Sequence, residues 1–312
     1  MSVALAIVVP CYNEEEVLPE TMARLLALLD TLCAAGQASE ASALCFVDDG
    51  SRDRTWELIQ EGAQRDGRVR GVKLSRNSGH QNALLAGLSV AQADAVVTID
   101  ADLQDDLNVI HEMLQRHAEG CDIVYGVRRS RASDSMGKRG GARAYYHLLR
   151  LLGVEIVFDH ADYRLMSRRA IGHLQEYAEV NLFLRGIIPM LGFQSAIVRY
   201  DRAARFAGTT KYPLRRMLAL GVNGITSFSV APLRAIALLG MLIFVASLAM
   251  VCWVLYGKLV MDTAIPGWAS SVIPVYFLGG TQLLSIGVLG EYVAKMYLET
   301  KRRPRFFIES TV

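Results

Sequence analysis

The stretch Ala95–Gln104 reads AVVTIDADLQ and joins a short apolar run to two acidic residues at alternate positions. Small and β-branched residues followed by isoleucine are typical of a buried strand. Asp100 and Asp102 stand directly beyond the carboxyl end of that run. Because ligands of open α/β sheets bind at this end of the strands, the stretch predicts an α/β sheet with an acidic ligand site at its edge.

Similar apolar runs recur along the first 200 residues, and each is followed by a polar cluster and an amphipathic helical pattern. Continuous apolar runs indicate strands that helices cover on both faces, as in parallel sheets. We therefore predict an α/β domain with a mostly parallel sheet. Its predicted strands are 4–9, 43–47, 69–74, 95–99 and 122–125, and its predicted helices are 14–29, 55–65, 81–91 and 106–118.

The C-terminal third differs in composition from the rest of the chain. Of the 312 residues, 52% are hydrophobic and 21% are charged, so we expect a polar domain joined to separate apolar segments. Residues 236–256 and 269–290 contain no charged side chain. Since a helix of about 20 apolar residues crosses the hydrocarbon core of a bilayer, these two runs predict a transmembrane hairpin.

Basic residues flank this predicted hairpin on both outer sides: Arg215, Arg216 and Arg234 before it, and Lys295, Lys301, Arg302, Arg303 and Arg305 after it. Such residues remain on the cytoplasmic side of a membrane, so we expect the α/β domain and both termini there. The predicted organisation is a catalytic domain over 1–211, an interfacial juxtamembrane helix over 212–231, two spans within 232–298 and a basic tail over 299–312.

The pair Asp100 and Asp102, with Gln104 behind it, predicts a metal site. Oxygen ligands at alternate positions beyond a strand suit a hard divalent cation such as Mg²⁺ or Mn²⁺. Such a cation bridges a diphosphate and neutralises charge on the leaving group.

Two more polar clusters follow the first and second predicted strands. Asp48 and Asp49 precede Gly50, and one of the two carboxylates is predicted to accept hydrogen bonds from a nucleobase or ribose. The segment 10–14, Pro-Cys-Tyr-Asn-Glu, is predicted both to start a helix and to bind ligand.

Basic residues are expected near the same edge of the sheet. Arginine suits bidentate contacts with phosphate. Acids, arginines and a metal motif together predict a nucleotide diphosphate as ligand and exclude nucleic acid, which calls for a continuous basic face. These basic residues are Arg76, Arg128, Arg129, Arg131, Arg202, Arg205 and Lys211.

The chain resembles glycosyltransferase family 2, in the branch of dolichol-phosphate mannose synthases and bactoprenol glucosyltransferases. The resemblance extends over almost the whole chain. One departure is Thr210, which stands where the family usually has serine and retains the hydroxyl group. The matching segments are 8–15 (VVPCYNEE), 47–51 (VDDGS), 74–81 (LSRNSGHQ), 100–104 (DADLQ), 162–166 (DYRLM), 202–212 (RAARFAGTTKY) and 287–292 (GVLGEY).

The resemblance implies a nucleotide-sugar-binding, GT-A-like fold and an inverting transfer of a hexose to polyprenyl (undecaprenyl) phosphate at a bacterial inner membrane. Glucose from UDP-glucose is the first expectation, with N-acetylglucosamine or another sugar as the alternative. It further implies a homotetramer and a flippase as partner.

The resemblance also assigns roles to individual residues. Asp162 matches the family's proposed base. Because the second pKa of a phosphate monoester is about 6, the acceptor is mostly dianionic at neutral pH, and Asp162 could instead orient the sugar. The implied ligands of metal and donor diphosphate are Asp100, Ala101, Asp102 and Gln104. Those of base and ribose are Pro10, Tyr12, Glu14, Asp48 and Asp49, with Arg76 also on the donor. The phosphate-binding residues are Arg128, Arg202, Arg205 and Lys211.

Three other functions compete with this interpretation. A processive polysaccharide synthase usually carries a Gln-x-x-Arg-Trp motif, which this sequence lacks. A dinucleotide-dependent oxidoreductase would show GxGxxG after the first strand, and this chain does not. The third alternative is not an enzyme: it is a non-catalytic membrane protein that senses nucleotide-sugars.

Overall fold

The computed structural model describes residues 2–129, 160–179, 184–201, 231–260 and 267–312. The chain forms two compact units. The described part of the first unit comprises 2–129, 160–179, 184–201 and 302–312, and that of the second comprises 231–260 and 267–301. The extreme C-terminus therefore belongs to the same unit as the N-terminal domain.

The first unit is built on an eight-stranded sheet with the order β7-β5-β6-β4-β1-β2-β3-β8. Its strands are β1 (Leu5–Cys11), β2 (Ala43–Asp48), β3 (Val69–Leu74), β4 (Ala95–Thr98), β5 (Ile123–Arg128), β6 (His160–Ser167), β7 (Ser195–Tyr200) and β8 (Ile308–Thr311). Strands β1 to β4 pair in parallel, as do β5 and β7. Strand β6 runs antiparallel to β4 and β5, and β8 runs antiparallel to β3. The predicted α/β architecture is confirmed, with a sheet that is mixed.

Helices follow the strands: the first four lie near the positions that the hydrophobic periodicity predicts, and the last two were not predicted. They are α1 (Leu18–Ala34), α2 (Thr55–Arg65), α3 (His80–Val90), α4 (Val109–Ala118), α5 (Arg168–Glu176) and α6 (Leu184–Met190). All seven residues of β1 are buried. Helix α1 buries Leu18, Leu25, Leu29 and Leu32, which share one face at helical spacing. These apolar faces form the core against the sheet.

Strand β6 was not predicted, because its sequence HADYRLMS lacks a continuous apolar run. It nevertheless inserts between β4 and β5, where Tyr163, Leu165 and Met166 are buried. Arg164 is also buried, at 1% exposure. Because this charged residue interrupts the apolar run that marks a buried strand, β6 could not be recognised from hydrophobic periodicity.

The second unit contains two long helices, α7 (Ala231–Val260) and α8 (Trp268–Thr300). The predicted runs 236–256 and 269–290 lie within them, so their helical character is confirmed. Across the described residues, we find no helix with the combined length and hydropathy needed to cross a membrane. The interfacial helix predicted over 212–231 lies, up to residue 230, outside the described residues.

Candidate active site

The loops after β1 and β2 form one connected structure at the carboxyl edge of the sheet. Cys11 and Asp48 are register partners at the ends of these strands. The backbone N–H of Asn13 donates to Ser51 Oγ at 3.0 Å, and the Asn13 side chain accepts from the backbone N–H of Arg52 at 2.9 Å. Asn13 has a φ of 55°, which is uncommon for a residue other than glycine. The polar clusters that were predicted separately after β1 and β2 thus form one continuous wall of the candidate site.

Asp48 and Asp49 differ in what their carboxylates contact. Asp49 accepts from the backbone N–H groups of Ser78 and Gly79, at 2.7 and 2.9 Å. Asp48 Oδ1 accepts from the N–H of Ser51 at 3.1 Å, whereas Oδ2 is buried and has no hydrogen-bond partner among the described residues. Burial raises the pKa of both carboxyls. Asp49 therefore anchors the loop before α3, whereas Asp48 carries a buried acceptor atom whose hydrogen-bonding capacity the described residues do not use.

The loop of Asp100 and Asp102 is held in an unusual backbone conformation. Leu103 has a φ of 54°, and strained backbone of this kind clusters at functional sites. Thr21 in α1 donates to the carbonyl of Ala101 at 2.8 Å, and the N–H of Gln104 donates to Asp102 Oδ1 at 3.3 Å. Ala101, which the resemblance assigns to binding of the sugar donor, thus anchors this loop to α1 through its backbone carbonyl.

Asp100 carries the strongest indication of a cation site. Its Oδ1 atom is buried and accepts no hydrogen bond from the described residues. Burial raises the pKa of Asp100 to about 6. Among the described residues, no three His, Cys, Asp or Glu side chains form a group that could hold a metal.

Asp162 on β6 lies beside Asp100, and His80 connects the two. His80 Nε2 lies 3.4 Å from Asp162 Oδ2 and 3.5 Å from Asp100 Oδ1. Since His80 is the first residue of α3, the loop that Asp49 anchors also determines where this imidazole lies.

Two arginines bind the Asp162 carboxylate. Arg164 donates to it from the same strand, and Arg185 of α6 donates through Nη2 at 3.0 Å. Burial by itself raises the pKa of Asp162, but the hydrogen bond from His80 and the charges of Arg164 and Arg185 outweigh it and hold this pKa well below its usual range. A carboxylate with so low a pKa is a poor proton acceptor at neutral pH. The arrangement therefore favours the orienting role over the role of base.

His80, Arg164 and Arg185 are the site residues that sequence reasoning missed. A lone histidine is more often structural than catalytic, and no ligand spacing marks His80. Arg164 lies within the segment DYRLM, which is the one signal that could have identified it. Arg185 is 23 positions from Asp162, so only the fold shows their contact.

Arg128 ends β5 opposite Tyr200, its register partner on β7. Its Nε donates to the Tyr200 hydroxyl at 3.5 Å, and its Nη2 lies 3.9 Å from Asp105 Oδ1. Tyr200 in turn donates to Asp105 at 2.5 Å. The structure thus places Arg128 beside the loop that carries Asp100 and Asp102.

The remaining predicted residues fall into three groups. Tyr12 and Arg76 are exposed at the loops after β1 and β3, whereas Pro10 is buried in β1. The backbone N–H of Glu14 donates to Thr55 Oγ1 at 2.9 Å, which fixes the loop after β1 to α2. Arg202, Arg205 and Lys211 lie outside the described residues.

Comparison with known proteins gives one family. The family model described as Glycosyl transferase family 2 matches residues 6–174. A Bacillus subtilis (strain 168) protein named uncharacterized glycosyltransferase YkoT is 51% identical over 98% of this chain and 91% of its own length. The bactoprenol glucosyl transferase of Shigella phage SfX is 37% identical over 98% of this chain and 99% of its own length.

Among solved structures, glucosyl-3-phosphoglycerate synthase from Mycobacterium tuberculosis, in complex with Mn²⁺, uridine-diphosphate and phosphoglyceric acid, is also similar. It shares 20% identity and a TM-score of 0.46, with 72% of this chain and 76% of that chain covered. A likeness at this level supports no conclusion about ligands of the present chain.

Proposed function

The chain belongs to glycosyl transferase family 2, and we propose that it transfers a hexose from a nucleotide-sugar to polyprenyl phosphate with inversion at the sugar. Glucose from UDP-glucose is the proposed donor sugar. The observation that carries the proposal is the meeting of Asp100, His80 and Asp162 at the edge of the sheet where Asp48 also lies. The likeness of the whole chain to bactoprenol glucosyl transferases supports the lipid acceptor.

A divalent cation fits the carboxylates of Asp100 and Asp102, since Asp100 Oδ1 is buried and accepts no hydrogen bond within the part of the chain that the structure describes. Asp100 and Asp102 would hold Mg²⁺ or Mn²⁺, whose charge would stabilise the leaving nucleotide diphosphate. Gln104 is a further proposed oxygen ligand of the ion. Asp48 Oδ2 would accept a hydrogen bond from the base or ribose, beside Pro10, Tyr12 and Glu14.

The residues around Asp162 would act on the sugar and the acceptor. Because the Asp162 carboxylate is held ionised, it would accept hydrogen bonds from sugar hydroxyls and stabilise positive charge as it develops on the ring. The acceptor phosphate is mostly dianionic at neutral pH and needs little help from a base. Arg128 would offset the repulsion between this anion and the donor diphosphate.

We further propose that α7 and α8 form a transmembrane hairpin that brings the lipid to the site. Large apolar side chains on these helices are exposed, among them Leu238, Met241, Trp253, Leu283 and Leu284. Since β1 precedes the two helices and β8 follows them in one sheet, both ends of the helical segment lie on one side of any membrane that it crosses. Two crossings meet this condition, with the sheet on the cytoplasmic side of a bacterial inner membrane. A homotetramer and a flippase partner stay predictions.

The test is transfer of label from radiolabelled UDP-glucose, UDP-N-acetylglucosamine and UDP-galactose to undecaprenyl phosphate, with Mg²⁺, with Mn²⁺ and with EDTA. We expect one donor to give a lipid product that EDTA abolishes. Asp102→Asn should lose the product, whereas Asp106→Asn, which changes an exposed carboxylate that bonds to Asn108, should retain it. UDP binding without any lipid product would reject the transferase proposal and leave a nucleotide-sugar sensor. Retention in the membrane pellet after carbonate extraction tests the hairpin.

A further inference from the structure

The last residues of the chain form the outer edge strand of the donor side of the sheet. Strand β8 pairs antiparallel with β3, with Ile308 opposite Leu74 and Thr311 opposite Val72. Gly71 and Val312 exchange two backbone hydrogen bonds, at 2.9 and 3.0 Å. The C-terminal segment is therefore bound along β3 from Gly71 to Leu74.

The side chains of this segment are also fitted to the domain. A Cβ atom on Gly71 would lie 2.7 Å from Val312 Cγ2 and 2.5 Å from Ile59 Cγ2, so the last residue packs in the space that this glycine leaves. The Arg305 side chain donates to the carbonyl of Tyr177 just before the strand begins. Main chain and side chains both hold the segment in one place.

The contact that connects β8 to the site is at its start. The N–H of Ser75, the first residue after β3, donates to the carbonyl of Phe307 at 3.0 Å. The loop 75–79 begins there. Its next two residues lie against Gly50, where an added Cβ would come within 2.6 Å of the Arg76 and Asn77 backbone.

The same loop ends at the catalytic cluster. Ser78 and Gly79 donate their N–H groups to Asp49, and His80 then contacts Asp100 and Asp162. The loop is thus fixed at its start by β8, along its middle by Gly50 and at its end by Asp49. Without β8, β3 would be an edge strand with unpaired backbone groups. Pairing with β8 therefore restricts the motion of the loop at the point where it leaves β3.

We propose that β8 is a positioning element of the donor site, so that residues from both ends of the chain build the nucleotide-binding wall. This inference rests on the proposed function, because it takes loop 75–80 to contact the donor. It assigns a role to the C-terminal residues, for which the sequence predicts only a basic tail. The expected consequence is a defect in donor binding when β8 is removed or detached.

The experiment compares the full-length protein with a variant that ends after Arg305. We expect the Kd for UDP and the KM for the sugar donor to rise about tenfold, which corresponds to about 1.4 kcal/mol of lost binding, while kcat changes much less. Addition of a synthetic peptide of residues 305–312 should restore the Kd. Glu309→Gln is the control, since it removes only the exposed contact with Lys73 at 3.3 Å and retains the backbone ladder.

A second variant keeps the test decisive if the truncated chain does not fold. Ser75→Pro removes the N–H group that donates to Phe307, and the extended backbone of Leu74 already suits a following proline. We expect a raised Kd for UDP with wild-type thermal unfolding. Unchanged Kd and KM in the folded truncation or in Ser75→Pro would overturn the role of β8. Absence of UDP binding by the wild-type protein would instead reject the proposed function.

Discussion

The guanidinium of Arg185 binds the carboxylate of Asp162 through Nη2 and Oδ2 at 3.0 Å, although the two residues are 23 positions apart. Arg164 binds the other oxygen of the same carboxylate. Two arginines on one buried carboxylate leave it ionised and fixed in direction. This geometry supports our proposal that Asp162 accepts hydrogen bonds from the substrate instead of acting as a base.

Asp162→Asn should lower the transfer rate at least about a hundredfold, because the neutral amide no longer offsets charge at the sugar. It should also reduce stability, by about 3–5 kcal/mol, because Arg164 is buried and loses its counter-charge. Steady-state kinetics and thermal unfolding measure the two effects. Asp122→Asn is the matched control, since it weakens the contacts of Asp122 with the buried Ser167 and the exposed Arg169, just before β5 begins. It should lower stability and leave kcat near the wild-type value.

The low pKa of Asp162 also has a consequence for pH dependence. Its folded pKa lies below the unfolded value of about 3.9, so the stability that its ion pairs supply is present above that pH and is lost as pH falls through the folded pKa. We expect kcat to show no titration assignable to Asp162 between about pH 5 and 8. A kinetic pKa in that range that disappears in Asp162→Asn would restore the role of base.

Asp100 should make cation binding dependent on pH. Its folded pKa of about 6 lies above the unfolded value, so its contribution to stability without metal is greatest below about pH 4 and is lost as pH rises through 6. A cation binds the ionised form and competes with the proton. We therefore expect Mn²⁺ to raise Tm more at pH 7.5 than at pH 5. An equal rise at both values, or a rise that persists in Asp100→Asn, would contradict the site.

Gly50→Ala should impair donor binding far more than Gly36→Ala. Both glycines have a φ near +68°, so each alanine variant incurs similar backbone strain of about 1–2 kcal/mol. An alanine Cβ at position 50 would also lie 2.6 Å from the Arg76 backbone, whereas position 36 has no atom within 4 Å. We expect Gly50→Ala alone to raise the Kd for UDP, as measured by calorimetry. Equal effects of the two substitutions would show that the loop contact is unimportant.

Arg128→Ala should raise KM for donor or acceptor about tenfold or more, because a charge-assisted phosphate contact is worth about 1.5–3 kcal/mol. Arg129→Ala is the neighbouring control. Its side chain is exposed and lies 3.9 Å from the exposed Asp201, so its removal should change kinetics and stability little. If Arg128→Ala and Arg129→Ala change KM equally, then the contacts of Arg128 with Tyr200 and Asp105 do not position it for binding phosphate.

The sequence alone determined the first five strands, the four helices between them and the acidic clusters at their ends. These features depend on local periodicity and on the rule that ligands bind at the carboxyl edge of such sheets. The same reasoning predicted Asp48, Asp100 and Asp102 as site residues, since all three lie at or just beyond the carboxyl end of an apolar run. It could not choose between Asp48 and Asp49, because the two differ only in the backbone groups that other loops bring to them.

Only the tertiary structure decided that β6 enters the sheet between β4 and β5, that Arg185 and His80 converge on Asp162, and that the chain end completes the sheet beside β3. Each of these depends on contacts between distant positions, such as the contact of Lys73 with Glu309 across a separation of 236 residues. A buried arginine such as Arg164 is unfavourable in any local pattern. It is stable here because the fold supplies the Asp162 carboxylate, and that compensation exists only once the strands have assembled.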